Sequence, residues 1–249
     1  AGNATVLFEA GGAAPTASFD VQVKLLKDDI DSIKLNTELG VSAATTWLTV
    51  DAGAIDDMSA AGNSLPQALG LAVTTYKADA TSPRLLDAQL DMNARTLSLS
   101  FSEPVDTSTV TSTAISVQGA WNDAALSLAF SLQTATSSDN GNEFVLSIAT
   151  PDFNELARIE GLAEQQANSF VTIAPSAVQD MAGNAASAMS INDALQVSQF
   201  VRDSLPPAAV SAELDVDAFV LTLVFDETVR SSTLTTSLLT IHSSVSGSG

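Results

Sequence analysis

Apolar residues recur at every second position through much of this chain. In Arg95-Thr96-Leu97-Ser98-Leu99-Ser100-Phe101 two leucines and a phenylalanine fall on one side and small polar groups on the other, as a half-buried strand requires. The same alternation predicts strands over Leu86–Met92, Ala114–Gln118, Ala125–Leu132, Glu143–Ile148, Ser169–Ile173 and Leu195–Val201. Asp91-Met92-Asn93 and the run Ser138 to Asn142 read as turns, because Asn, Asp and Gly tolerate the left-handed backbone that turns use. The period changes once in this stretch, from Asp152 to Gly161, where Phe153, Leu156 and Ile159 recur every three residues behind Pro151. That segment predicts a short helix, since proline is tolerated at a helix start. The expected core comprises Leu97, Leu99, Phe101, Phe144, Leu146, Phe170 and Ile173.

The pattern repeats. Residues 79–117 align without a gap to residues 203–241, at an offset of 124, and fourteen of the 39 aligned positions are identical. Among them are Asp79/Asp203, Pro83/Pro207, Leu97/Leu221, Leu99/Leu223, Phe101/Phe225 and Glu103/Glu227. A second alignment, at an offset near 123, sets Asp20–Val50 against Glu143–Ile173, so that Trp47 corresponds to Phe170. Further on, Asp57-Met58 with Gly62-Asn63 corresponds to Asp180-Met181 with Gly183-Asn184. The chain therefore divides into the back portion of a repeat (1–78), a whole repeat (79–202) and the front portion of another (203–249). The two flanks total 125 residues against 124 for the whole repeat. Seven short strands in a unit of that length, separated by turn signals, predict an all-β fold of tandem immunoglobulin-like antiparallel sandwiches, one complete and one split between the chain ends.

Composition narrows the function. Lys and Arg number 9 against 29 Asp and Glu, a net charge of −20 that repels nucleic acid and anionic lipid. No apolar run reaches the roughly 18 residues of a membrane helix, so membrane insertion is not expected. With no cysteine there is no disulfide framework, thiolate metal site or cysteine nucleophile. The abundant serine and threonine suit exposed strand faces and O-linked sugar, and Asn3 opens the one Asn-x-Thr sequon.

Three stretches resemble bacterial immunoglobulin-like tandem repeats of surface-layer proteins and giant cell-surface adhesins. They are the opening Asp79-Ala80-Thr81-Ser82-Pro83, the strand Leu97 to Phe101 with Ser102-Glu103-Pro104-Val105, and Val178 to Asn184 before the last strand. The third portion keeps Phe225-Asp226-Glu227 but has Thr228 in place of the proline. The resemblance implies an extracellular or cell-surface location and a structural role as spacer, stalk, lattice subunit or ligand-bearing unit.

Little here points to catalysis. His242 is the one histidine and follows a predicted strand, so a triad or multi-histidine metal site lacks its parts. Gly11-Gly12 reads as a loop. Glu103 and Glu227 recur in separate repeats, which favours a repeated structural role over paired acid and base. Calcium is the cofactor the acidic composition allows: Asp180 and Asn184 could offer oxygens in one loop, and Asp79 and Asp203 mark repeat junctions where an ion would offset carboxylate repulsion. Trp47 reads as core through its match to Phe170, and Trp121 lies in a turn. The expectation is a non-enzymatic subunit of a filament or surface layer whose partners are copies of itself, the front portion of one completing the back portion of the next, head to tail. The alternative is an adhesin stalk that binds carbohydrate or a surface and is stiffened by calcium.

Overall fold

The computed structural model describes residues 20–131 and 133–243. Asn3 and Gly11-Gly12 lie outside the described residues. In chain order the elements are α1 (Lys27–Leu35), β1 (Trp47–Val50), β2 (Ala68–Ala72), β3 (Leu85–Asp91), β4 (Thr96–Asp106), β5 (Ile115–Ala120), β6 (Asp123–Ala129), β7 (Ala135–Thr136), β8 (Gly141–Ser147), α2 (Thr150–Arg158), β9 (Phe170–Ile173), β10 (Gln179–Asp180), β11 (Leu195–Gln196), β12 (Gln199–Val201), β13 (Ala209–Asp215) and β14 (Val220–Phe225). Single turns of 3-10 helix link several of them. The protein is all-β, with two short helices among the described residues.

Two sheets occupy residues 85–201. One runs β12-β3-β4-β8-β7, with β10 pairing the far end of β4; the other runs β11-β9-β5-β6. All pairings are antiparallel except β12 with β3, which is parallel. β4 organises the first sheet because its alternation is strict: Leu97, Leu99 and Phe101 are buried and the residues between them half-exposed. These three join Leu90 of β3, Phe144 and Leu146 of β8, Ile115 and Val117 of β5, and Val171 and Ile173 of β9 in one apolar cluster. Phe101 and Phe144 stack with ring centroids 5.5 Å apart. Each such side chain contributes about 1.5–3 kcal/mol by leaving water, so this cluster holds the two sheets together.

α2 begins at Thr150 with Pro151 in its first turn and inserts Phe153 and Leu156 into the same cluster. Its buried Asp152 accepts hydrogen bonds from the Ser131 amide and hydroxyl, each at 2.9 Å, and from Thr134 Oγ1 at 2.5 Å. The Arg95 guanidinium lies 4.3 Å above the Phe153 ring, a cation–π contact that closes the helix against the β3–β4 turn.

The strands and the helix predicted between residues 86 and 201 are present, with these differences in detail. Leu195–Val201 is two strands, because the chain crosses at Val197-Ser198 from the second sheet to the first. β6 stops at Ala129, where Phe130 turns inward and is buried. The helix spans Thr150–Arg158, ending before Gly161. Phe170 is half-buried, since the deeper positions of β9 are Val171 and Ile173.

The sequence repeat has a structural counterpart, element by element. β13 and the start of β14 lie 124 residues beyond β3 and the start of β4, while α1 and β1 lie 123 residues before α2 and β9. The hairpin turns agree in detail. Asp91 accepts from the Ala94 amide and Asp215 from the Ala218 amide, both at 2.8 Å, and Arg95 and Phe219 adopt the same left-handed conformation, φ 55 and 59. β1 pairs with β2 and β13 with β14, each as a two-stranded sheet.

Candidate functional site

The carboxylates of Asp79, Glu103 and Asp180 converge so that one oxygen of each lies within 4.8 Å of the others. Three elements deliver them. Asp79 precedes β3 and fixes its own turn by accepting from the Thr81 amide at 3.1 Å. Glu103 projects from β4. Asp180 sits in β10, opposite Val105 of β4, and gathers its loop: Oδ1 accepts from the amides of Ala182 and Asn184 at 2.9 and 2.7 Å, and Oδ2 from Asn184 Nδ2 at 2.8 Å. Gly183, at φ 87, takes the left-handed turn that the loop needs. Asn184 Nδ2 also reaches the Asp79 carbonyl at 3.3 Å.

The cluster is closed by an ammonium from another part of the chain. Lys34, in the last turn of α1, lies 2.8 Å from Asp79 and 2.5 Å from Glu103. Burial works against the charge on Lys34, but its two carboxylate partners outweigh that and raise its pKa. Burial likewise opposes ionisation of Asp79, and the Lys34 and Thr81 hydrogen bonds overcome it, leaving its pKa lowered. For Glu103 burial dominates; Lys34 offsets only part of it, Asp79 and Asp180 add repulsion, and the pKa is raised. The arrangement is an ion-paired junction between α1 and the sheet of β3, β4 and β10. Chemically it can hold a cation, and the cation it holds is the Lys34 ammonium.

Of the residues singled out from sequence for calcium, Asp79, Asp180 and Asn184 meet here, joined by Glu103. Asp203 lies apart. It caps its own turn through the Leu205 amide at 3.0 Å, as Asp79 does through Thr81, and its charge reaches Glu227. The Glu227 pKa is raised by burial first and then by repulsion from Asp203 and Asp226, with the Arg95 charge offsetting only part of this. At this second pair the residue equivalent to Lys34 is Ala157 of α2.

The loop of Asp180 also has a twin. Asp57 Oδ1 accepts from the amides of Ser59 and Asn63, both at 3.0 Å, and Asp57 Oδ2 from Asn63 Nδ2 at 2.9 Å. These hydrogen bonds hold the Asp57 pKa far below the carboxylate range. This loop is exposed, and among the described residues no cluster of three carboxylates like that of Asp79, Glu103 and Asp180 assembles on it.

Lys34 is the residue that reading for carboxylates passed over. The signal was present, since the alignment of residues 20–50 with the α2 region placed a helix over Lys34.

The flanks carry a second feature, open apolar faces. Leu221, Leu223 and Phe225 border an open cavity of about 1140 Å³ together with Leu234, Leu238 and Leu239. Their equivalents Leu97, Leu99 and Phe101 are buried in the central cluster. At the other flank Val21, Val23 and Leu48 are exposed, whereas the equivalent Phe144, Leu146 and Val171 are buried. Trp47, expected in a core, is 58% exposed, because among the described residues β1 has only β2 beside it while its equivalent β9 lies between β11 and β5. Trp121 is exposed at the β5–β6 turn, and His242 is exposed as well.

No family model matches this chain, and no curated protein does. Among solved structures, the crystal structure of the S-layer protein rSbsC(31-844) matches over 58% of this chain and 18% of its own, at 15% identity and a TM-score of 0.32. The crystal structure of the N-terminal part of the bacterial S-layer protein SbsC matches over 58% of this chain and 31% of its own, at 13% identity and a TM-score of 0.28. The chain thus spans less than a third of either protein, and likeness at this level carries no argument here. Among the described residues no helix is long and apolar enough to cross a membrane.

Proposed function

We propose that this protein is a structural repeat unit of an extracellular filament or surface layer, and that it assembles head to tail by completing a split immunoglobulin-like sandwich. In this reading residues 79–202 form a complete sandwich, residues 1–78 the back of another and residues 203–249 the front of a third. The observation that carries it is a contrast within one chain: equivalent positions are buried in 79–202 and open in the flanks. Leu99 is fully buried where Leu223 borders an open cavity, and Val171 is fully buried where Leu48 is exposed. Faces of that kind, with strand edges beside them that are unpaired among the described residues, favour pairing with another chain.

The central repeat supplies the template for what covers them. β8 lies beside β4 and β9 beside β5, so the Asp20–Lys24 segment and β1 of one copy would cover β14 and the Leu239–Ile241 segment of the next. A contact between unlike surfaces does not close on itself and propagates an open assembly. The shared core would bury an area typical of obligate interfaces, roughly 2,000 Å² or more.

The test is direct. Light scattering and electron microscopy of the purified chain over a concentration series should show linear assemblies that lengthen with concentration. A particle of 25.6 kDa at every concentration would refute the proposal.

A further inference from the structure

The proposed head-to-tail contact predicts its own register, because the central repeat records which residues face which. Pairings transfer through an offset of 124 for the front portion and, for the back portion, of 123 as far as Asp57 and 124 from β2 onward, where Ala72 faces Trp47 as Gln196 faces Phe170. In the central repeat Leu97 faces Leu146 and Leu99 faces Phe144; the composite equivalents are Leu221 with Val23 and Leu223 with Val21, all apolar. Ile115 faces Ile173 and Val117 faces Val171; the equivalents are Leu239 with Val50 and Ile241 with Leu48, again apolar throughout.

Two further pairings change character between the central repeat and the composite. In the central repeat Val201 faces Asp91 across the parallel β12–β3 pair, and Gln179 faces Asp106 across β10–β4. Neither is an ion pair. The composite equivalents are Lys77 with Asp215 and Asp56 with Arg230, and both are of opposite charge. Lys77 and Arg230 are exposed, and the ion pairs among the described residues engage neither. The chain has only 9 basic residues against 29 acidic ones, so two of its few cations stand at the positions that would face acids only between copies.

On the strength of the head-to-tail reading, we infer that Lys77–Asp215 and Asp56–Arg230 are intermolecular ion pairs that fix the register of the contact between copies. The back portion carries Lys77 and Asp56 and the front portion carries Asp215 and Arg230, so each end offers one cation and one acid, and both are matched at once in the register transferred from the central repeat. A one-residue slip would set Lys77 opposite Leu214 or Val216, which are apolar. Charges placed this way act chiefly on specificity and on encounter, where like-charge juxtaposition is the penalty.

The experiment is charge reversal in the full chain, read by light scattering. Lys77→Asp and Asp215→Lys should each raise the concentration needed for assembly by about tenfold or more, and the double variant should recover most of the loss. The pair Asp56→Lys and Arg230→Asp should behave in the same way. Folding of each variant is checked by circular dichroism. As a second readout, the absence of cysteine allows clean cross-linking. Mixed chains carrying Lys77→Cys and Asp215→Cys should form a disulfide-linked dimer on assembly, and Thr75→Cys with Asp215→Cys should not. If the wild-type chain assembles but single reversals leave its threshold unchanged, or the mispaired cysteines cross-link equally well, the register is wrong while head-to-tail assembly stands. If the wild-type chain does not assemble at all, both fall together.

Discussion

Leu99 and Leu223 are the same position in two copies of one repeat, and substituting each in turn separates burial within the chain from burial between chains. Leu99 has no exposed surface and lies among Phe101, Phe144, Leu97 and Leu146. Replacing it with alanine removes buried methyl groups and leaves a cavity that a close-packed cluster cannot collapse, a cost of about 3 kcal/mol or more. With a urea dependence of about 1.5 kcal/mol per molar for a unit of this size, the midpoint should fall by about 2 M. Leu223, partly exposed on an open cavity, should cost less than about 1 kcal/mol as alanine in dilute solution. The assay is urea denaturation followed by tryptophan fluorescence. A Trp47→Phe background makes Trp121 report the 79–202 region, and a Trp121→Phe background makes Trp47 report the flank. Above the assembly threshold Leu223→Ala should become as costly as Leu99→Ala, because the face is then covered. If Leu223→Ala destabilises the dilute chain as strongly as Leu99→Ala, that face is already covered within the chain, and the argument for a partner copy is refuted.

Four other outcomes are expected. Lys34→Met should lower thermal stability at neutral pH by about 2–4 kcal/mol, since it leaves the buried Glu103 beside Asp79 and Asp180 with no cation; an unchanged melting temperature would show that the junction carries no stability. The pH profile follows from the signs. Asp79, with its lowered pKa, contributes stability that is present above its ordinary 3.8 and lost as pH falls through the folded value, whereas Glu103, with its raised pKa, carries a penalty that is full above the folded value and gone below its ordinary 4.5. Stability from this junction should therefore peak between about pH 3.8 and 4.5, and a calorimetric series that rises monotonically to neutral pH would contradict this. Millimolar calcium should raise the melting temperature of Lys34→Met more than that of the wild type, because the ion must otherwise displace the ammonium; equal shifts would show that calcium does not use the cluster. In a Trp121→Phe background the emission of Trp47 should move to shorter wavelength on assembly, as the composite sheet sets His242 opposite it, and unchanged emission would place Trp47 outside the contact.

What could be read from sequence, and what could not, follows from which interactions are local. Strict alternation from Arg95 to Phe101 located β4 and its buried face, because in a strand one period decides orientation for every side chain. The helix at Thr150–Arg158 was legible for the same reason, from Phe153 and Leu156 three residues apart. The sheet crossing at Val197-Ser198 was not, since an extended chain has the same local pattern whether it stays in one sheet or leaves it for another. Trp47 shows the stronger limit. Its match to Phe170 fixed its strand and its place in the repeat, yet its exposure depends on whether a neighbour of the β5 kind lies beside β1, and that long-range arrangement is not encoded by any residue near Trp47. The acidic junction divides along the same line. Asp79, Asp180 and Asn184 were visible as turn-forming acids and amides, but the charge that reconciles them comes from Lys34 on α1, 45 residues before Asp79 in one direction and opposed across the fold to Asp180 in the other. The second junction repeats Asp203 and Glu227 while substituting Ala157 for the lysine, and the charge of Arg95 offsets only part of what raises the Glu227 pKa. In a composite sandwich the Asp57 loop would arrive there as the Asp180 loop does in the central repeat, adding a third carboxylate without an ammonium. Contact between copies should then be linked to proton uptake by Glu227 and should strengthen as pH falls toward its raised pKa, whereas the Lys34 junction within the chain is already neutralised. On the head-to-tail reading, one backbone arrangement would then serve two electrostatic purposes, a closed ion-paired joint inside the chain and a joint between copies that responds to protons.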